Sequence, residues 1–269
     1  MAIMLEARQL GTTIRGRNVL NDLTFSFEKG YTYGIIGPNG VGKSTLLRLL
    51  SGVLPPSQGD IFLAGRSIAA YSRKEAARKL AVLQQGVLPP VGFTVREVIE
   101  MGRFPYQNWF GNEPGDSSPI INEAIAAMGL EKLEQRTMAE LSGGERQRVA
   151  LAKVIVQQAE VILLDEPTTY LDIGYQIQLL DTVKSWQREQ GITVVTVLHD
   201  LNLAALYCDE VLVLHKGSIA ALGKPQHIYT TELIRDVYGA EASIMNHPLT
   251  GVPQILLAPN VRINNGELE

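Results

Sequence analysis

The run Gly37-Pro38-Asn39-Gly40-Val41-Gly42-Lys43-Ser44-Thr45 constrains this chain more than any other stretch, because it has the spacing G-x-x-x-x-G-K-[ST] of a phosphate-cradling turn. The apolar run Tyr33-Gly34-Ile35-Ile36 before it reads as a buried strand. Leu46-Leu47-Arg48-Leu49-Leu50 after it reads as the first turns of a helix closed by Gly52. The motif has meaning only in that strand–loop–helix setting. Its glycines let the backbone curl so that N–H groups point inward, and the new helix adds the positive end of its dipole. Lys43 then reaches the β- and γ-phosphates of a nucleoside triphosphate, and Ser44 holds Mg²⁺. A Gly-rich turn matching by chance would lack the two flanks, so the chain is expected to bind a nucleoside triphosphate.

At 269 residues the chain is long enough for one large α/β domain or a core with an inserted subdomain. A net charge of −4 argues against a general nucleic-acid binder, and the single cysteine, Cys208, excludes a disulfide framework and a Cys-rich metal site. That cysteine usage fits a reducing cytosol. No run reaches the roughly eighteen apolar residues a membrane span needs. The first residues, Met1 to Arg8, lack the basic start and long apolar core of a signal peptide. Any membrane role is therefore expected to run through a partner.

Residues 3–36 read as short strands, with turns at Arg15-Gly16-Arg17-Asn18 and Glu28-Lys29-Gly30, and 59–68 as a strand pair around Ala64-Gly65. From about Phe93 to Met138 the pattern turns helical, over Val95–Met101 and Ile120–Met128. A Pro-, Gly- and Asn-rich loop from Pro105 to Pro119 joins the two. The runs Val161–Leu164 and Val194–Leu198 are unbroken apolar stretches, the mark of parallel strands covered on both faces. Between them Ile173, Ile177, Leu180 and Lys184 recur at helical spacing, which completes a βαβ unit. The tail beyond Leu257 is expected to fray.

Hydrolysis needs a metal-holding carboxylate and a group that activates water. Asp165-Glu166 follows the run Val161–Leu164, at the strand end where α/β sheets place ligands. Asp165 is the candidate metal-holding acid, acting through water, and Glu166 the candidate general base. Upstream, Leu141-Ser142-Gly143-Gly144-Glu145-Arg146-Gln147-Arg148 carries S-x-x-E ahead of Val149-Ala150-Leu151-Ala152, a capping box that opens a helix. Two glycines in that first turn weaken the helix by about 1 kcal/mol each relative to alanine. They make sense where backbone must approach an anion closely. One phosphate loop already serves one nucleotide, so a second anion-binding helix end points to a nucleotide held by another copy.

LSGGERQR resembles the signature motif of the ATP-binding cassette (ABC) ATPases, and further motifs follow in that family's order. Gln85, in Val82-Leu83-Gln84-Gln85, matches the glutamine that joins the Mg²⁺ and water site to the membrane partner. Gln84 stands where proline often precedes it, so the assignment lies between Gln84 and Gln85, with register favouring Gln85. Leu171-Asp172 matches the D-loop and His199 the switch histidine that contacts the γ-phosphate, with Asp200 able to cap the next helix. Two other positions depart from the family. Ile14 aligns where an aromatic side chain usually stacks on adenine, and Tyr170 stands where a smaller residue or a histidine is common.

The resemblance covers nearly the whole chain and implies an α/β phosphate-loop NTPase core with a mixed, mainly parallel sheet. An N-terminal antiparallel β-subdomain and an inserted helical subdomain complete it. The expected boundaries are a core over about 1–92 and 150–240, helices over 93–149, an extension over 241–257 and a tail over 258–269. The implied ligands are ATP and Mg²⁺. The implied working unit is a head-to-tail dimer in which Ser142, Gly143, Gly144 and Asp172 meet the nucleotide held by the other copy. Its implied place is the cytoplasmic face of the cell membrane, bound to a transmembrane permease. Val95–Tyr106, Tyr238-Gly239 and His247–Pro253 are similar to stretches of iron-siderophore, haem and cobalamin import ATPases, which an extracellular substrate-binding protein feeds. As structure, these stretches read as an amphipathic helix ending at Pro105 and a Pro/Gly turn. An exporter or other metal-importer ATPase and a non-transport cassette are the alternatives. The absence of a second cassette and of a basic arm weighs against the last.

Overall fold

The computed structural model describes residues 2–84, 86, 92–108, 111–169 and 171–258. From the N-terminus run β1 (Ile3–Ile14), β2 (Arg17–Glu28), β3 (Thr32–Ile36), α1 (Lys43–Leu50), β4 (Gln58–Leu63), β5 (Arg66–Ser67), α2 (Arg73–Lys79) and β6 (Leu80–Leu83). Three helices follow, α3 (Val95–Glu100), α4 (Ser118–Ala127) and α5 (Gly143–Val156). Then come β7 (Val161–Asp165), α6 (Ile173–Gln190), β8 (Thr193–Val197), α7 (Leu201–Tyr207), β9 (Glu210–His215) and β10 (Ser218–Gly223). The chain closes with α8 (Pro225–Ile228), α9 (Thr231–Tyr238) and the hairpin β11 (Ala242–Asn246) and β12 (Pro253–Leu257).

The central sheet has the order β10-β9-β3-β8-β7-β6, parallel except where β10 pairs with β9. β3, β7 and β8 are buried at every position. Their side chains divide by the period of two. Tyr33, Ile35, Leu163, Val195 and Val197 enter a core shared with α1 and the first sheet, while Ile36, Ile162, Leu164 and Val194 enter a core shared with α3, α4 and α5. The first sheet, β2-β1-β4-β5, is antiparallel throughout.

Four local expectations are corrected. The N-terminal strands are long, not short: β1 and β2 have twelve residues each and absorb several register shifts, with Gln9 and Asp22 at positive φ. α4 begins two residues before Ile120, because Pro119 fits a helix's first turn, where its missing N–H has no intrahelical acceptor to satisfy. The expected helix ending at Pro105 is α-helical only to Glu100 and continues as a 3₁₀ segment, Met101–Tyr106. On α6 the buried stripe is Leu179, Leu180, Val183 and Gln187; Ile173 is 79% exposed, and Lys184 pairs with Asp209 at 2.9 Å. Helix α5 runs unbroken through residues 149–150, and the tail after Ala258 lies outside the described residues.

Candidate nucleotide site

Register brings the candidate residues together. β8 lies between β3 and β7, and Val197 is paired with Ile35 on one side and Asp165 on the other. The phosphate-type loop leaves β3 just beyond Ile35, His199 follows Val197, and Glu166 follows Asp165. All therefore emerge at the C-terminal edge of three adjacent parallel strands, where such sheets bind ligands.

Within the loop, Pro38 is half-buried, and Asn39 and Gly40 are exposed at the tip. Val41, Gly42, Ser44 and Thr45 are half-buried. Gly37 is required twice over: its φ is +146°, and a Cβ there would stand 2.3 Å from the carbonyl oxygen of Leu214. Gly42, at φ +107°, caps α1 and presses on Leu20, which a Cβ would approach to 2.9 Å. Lys43 is buried, and its Nζ donates to the carbonyls of Gly37 at 2.8 Å and Pro38 at 3.0 Å. Burial lowers its pKa, and the charges of Glu166 and Asp165 oppose that shift.

Ser44 Oγ donates to Asp165 Oδ1 at 3.0 Å. Asp165 is itself buried, and desolvation raises its carboxyl above the ordinary aspartate value, with the Ser44 bond acting in the opposite sense. Glu166 holds a left-handed backbone at φ +51°, uncommon for a residue with a side chain. That turn takes its carboxylate off the strand line, and Oε1 lies 2.7 Å from His199 Nε2. Thr169 Oγ1 reaches Glu166 Oε2 at 3.4 Å. Asp200 caps α7 by accepting from the N–H groups of Asn202 and Leu203.

The donor set suits Mg²⁺. One hydroxyl and one buried carboxylate offer hard oxygen ligands. Mg²⁺ is commonly held by one or two such protein oxygens and completed by phosphate oxygens and water.

The helix end at Ser142 is built as its spacing predicts. Ser142 Oγ accepts from Glu145 N at 3.2 Å, and Glu145 Oε2 accepts from Ser142 N at 2.7 Å. Among the described residues a Cβ on Gly143 would meet nothing within 4 Å, so none of their packing calls for a glycine there. On Gly144 it would come within 3.2 Å of Leu171 Cδ2. Among the described residues no hydrogen bond joins Ser142, Gly143 or Gly144 to the phosphate-type loop. α5 is tied instead to the turn beyond Glu166: buried Gln147 donates to the Pro167 carbonyl at 3.0 Å, a link the sequence reading missed. Exposed Asp172 caps α6, with Oδ1 accepting from Tyr175 N at 3.0 Å.

Gln85 and Tyr170 lie outside the described residues. Ile14 sits half-buried at the end of β1, opposite Arg17. Gly239 is the left-handed C-cap of α9, and His247–Pro253 forms the β11–β12 turn, with His247 Nδ1 accepting from Leu249 N and Thr250 N. A groove of about 870 Å³ lies elsewhere, at the N-terminal ends of the strands between α4 and α6, lined by Ile120, Ile162, Trp186 and Ile192. It contains no residue of the site. No helix among the described residues is long and apolar enough to cross a membrane.

Comparison with known proteins agrees with this geometry. The family model described as "ABC transporter" matches residues 20–169. The ferric enterobactin transport ATP-binding protein FepC of Escherichia coli is 40% identical over 94% of the chain and 93% of its own length. The hemin import ATP-binding protein HmuV of Thermobifida fusca is 41% identical over 94% of the chain and 88% of its own. A further relative, 40% identical over 90% of the chain, is longer, and the chain spans 55% of its length. Among solved structures, a chain described as that of a metal-chelate type ABC transporter in an inward-facing conformation superposes with a TM-score of 0.82. Its identity is 27%, covering 97% of this chain and 98% of that one.

Proposed function

The chain belongs to the ABC transporter family, and from that premise we propose that it is the ATP-hydrolysing subunit of an importer for ferric siderophores, haem or cobalamin. The observation that carries the catalytic part is the convergence at three adjacent strand ends of Ser44 with Asp165 and of Glu166 with His199. In this reading Gly37 to Thr45 wrap the phosphates, and Lys43 exchanges its two loop carbonyls for phosphate oxygens. Ser44 and Asp165 hold Mg²⁺, with Gln85 adjoining. Mg²⁺, when bound, offsets phosphate charge and aligns the terminal phosphate. Glu166 accepts the proton of the attacking water, and His199 orients both the carboxylate and the γ-phosphate.

The working unit is a head-to-tail pair of chains. Ser142, Gly143, Gly144 and Asp172 of each face the nucleotide of the other, a reading supported by the absence of any described neighbour within 4 Å of a Cβ on Gly143. The γ-phosphate is the contact that differs between open and closed pairs, so it is what shifts their balance. A core interrupted by the helical segment at about 93–149 is part of the same proposal. So is a position on the cytoplasmic face of the membrane, with the helical segment toward a permease. The names of the relatives favour chelate import over export or a soluble role.

An affinity pull-down of the tagged chain from detergent-solubilised native membranes tests the transport part. Co-purification of a polytopic permease is the expected result. Soluble partners alone, with the chain active and abundant, would overturn the importer while leaving the nucleotide chemistry in place.

A further inference from the structure

Helix α5 has two ends, and only one is accounted for by the nucleotide. Its C-terminal end is fastened by a group of side chains, and Arg103 is the centre of that fastening. Arg103 is buried at 8% exposure. Its Nη1 donates to the carbonyl of Val156, the last residue of α5, at 2.7 Å and to Gln158 Oε1 at 2.7 Å. Its Nε donates to Glu113 at 3.0 Å, Nη2 joins the same carboxylate, and the guanidinium lies 4.1 Å from the centre of the Tyr106 ring. Tyr106 Oη in turn donates to the Gln157 carbonyl at 3.0 Å. Gly102 lets this happen: a Cβ there would stand 2.2 Å from the Lys153 carbonyl oxygen. A cation set on the last carbonyl of α5 also answers the negative end of the helix dipole.

We propose that Arg103 is a positioning residue for the site completed by the second copy, an inference that rests on the ATP-sandwich reading above. By clamping the far end of α5, Arg103 fixes the direction of the helix and so the place of Ser142, Gly143 and Gly144. The helix has fourteen residues, hence about 20 Å from clamp to glycines. Because α5 is one unbroken helix packed against α3 and α4, a shift of about 1 Å at the clamp displaces the helix as a body and reaches the glycines. Misplacement of that order costs about 100-fold where groups must meet closely. Lysine cannot substitute, since one ammonium cannot reach carboxylate, two acceptors and ring face together.

The test uses the full chain carrying Glu166→Gln, so that ATP is held rather than consumed. Arg103→Lys and, as a second variant that removes the carboxylate charge holding the guanidinium against the end of α5, Glu113→Gln are added to it. Three quantities are measured: thermal midpoint, affinity of the monomer for MgATP, and the monomer–dimer constant in saturating MgATP by sedimentation. The expected result is monomer affinity within about 2-fold of the parent and a dimer constant weakened by about 10-fold or more, in both variants. Unchanged dimerisation in a folded variant overturns the inference, and so does an equal loss of both affinities, which marks a general structural role. If Arg103→Lys fails to fold, Glu113→Gln decides by the same criteria. A parent that does not pair in MgATP overturns the sandwich reading, and this inference with it; a parent that pairs beside unaffected variants overturns the inference alone.

Discussion

Replacing Gly143 with alanine should separate folding from function in opposite directions. The added Cβ meets nothing within 4 Å in the single chain, and Gly143 is the first residue of a helix already capped by Ser142. The substitution therefore removes freedom from the unfolded chain without a native clash, a gain of about 0.4–1 kcal/mol. In a chain of this size that is a rise in melting temperature of roughly 1–3 °C. In the proposed paired state the same methyl would stand where backbone N–H groups approach phosphate oxygens to about 2.9 Å, while carbon–oxygen contacts settle at about 3.3–3.6 Å. A mismatch of a few tenths of an ångström to 1 Å should lower ATP turnover by about 10- to 100-fold. The assay is a melt of the nucleotide-free chain beside steady-state hydrolysis at several protein concentrations. Parent-like turnover at every concentration would refute the partner-facing role of this glycine. A melt several degrees lower would refute the claim that the position is open.

Three further outcomes are expected. Glu166→Gln should cut hydrolysis by about 10²–10⁴-fold, the usual worth of a general base, while an ATP-bound dimer accumulates on gel filtration; near-parent turnover removes Glu166 from that role. Lys43→Ala should weaken MgATP binding by 10-fold or more, given about 1.5–3 kcal/mol for hydrogen bonds to a charged group, and unchanged binding in a nucleotide titration would overturn the loop assignment. Asp165→Asn should abolish Mg²⁺-dependent hydrolysis yet stabilise the fold near neutral pH. Burial raises this carboxyl in the native state, so its contribution to stability is fully present below the ordinary aspartate value and is lost as pH rises through the raised one. Melts from pH 7.5 downward should show the variant's advantage shrinking with acidification; an advantage that grows would contradict the sign.

The local devices were legible in the residues because each is written within a turn or two of chain. The glycine spacing of 37–42, the Ser142–Glu145 reciprocal bonds and the Asp200 cap depend on neighbours two to five positions away, and the structure contains all of them. The apolar runs at 161–164 and 194–198 announced strands covered on both faces, since only such strands drop the polar alternate. The stripe on α6 was misjudged by part of a turn, because equally spaced apolar residues do not say which of two adjoining faces meets the sheet.

By itself, then, the sequence determined a strand–loop–helix turn, an acid pair beyond a buried strand and a capped, glycine-opened helix end. Tertiary structure alone decided that these belong together. Ser44 and Asp165 are 121 positions apart and meet at 3.0 Å only because β8 lies between β3 and β7. Strand order is set by the competition of whole faces for burial, which no local spacing records. The 2.7 Å approach of Glu166 to His199 and the clamp of Arg103 on the end of α5 follow from the same packing. Side chains from remote segments become partners once the cores on either side of the sheet have closed.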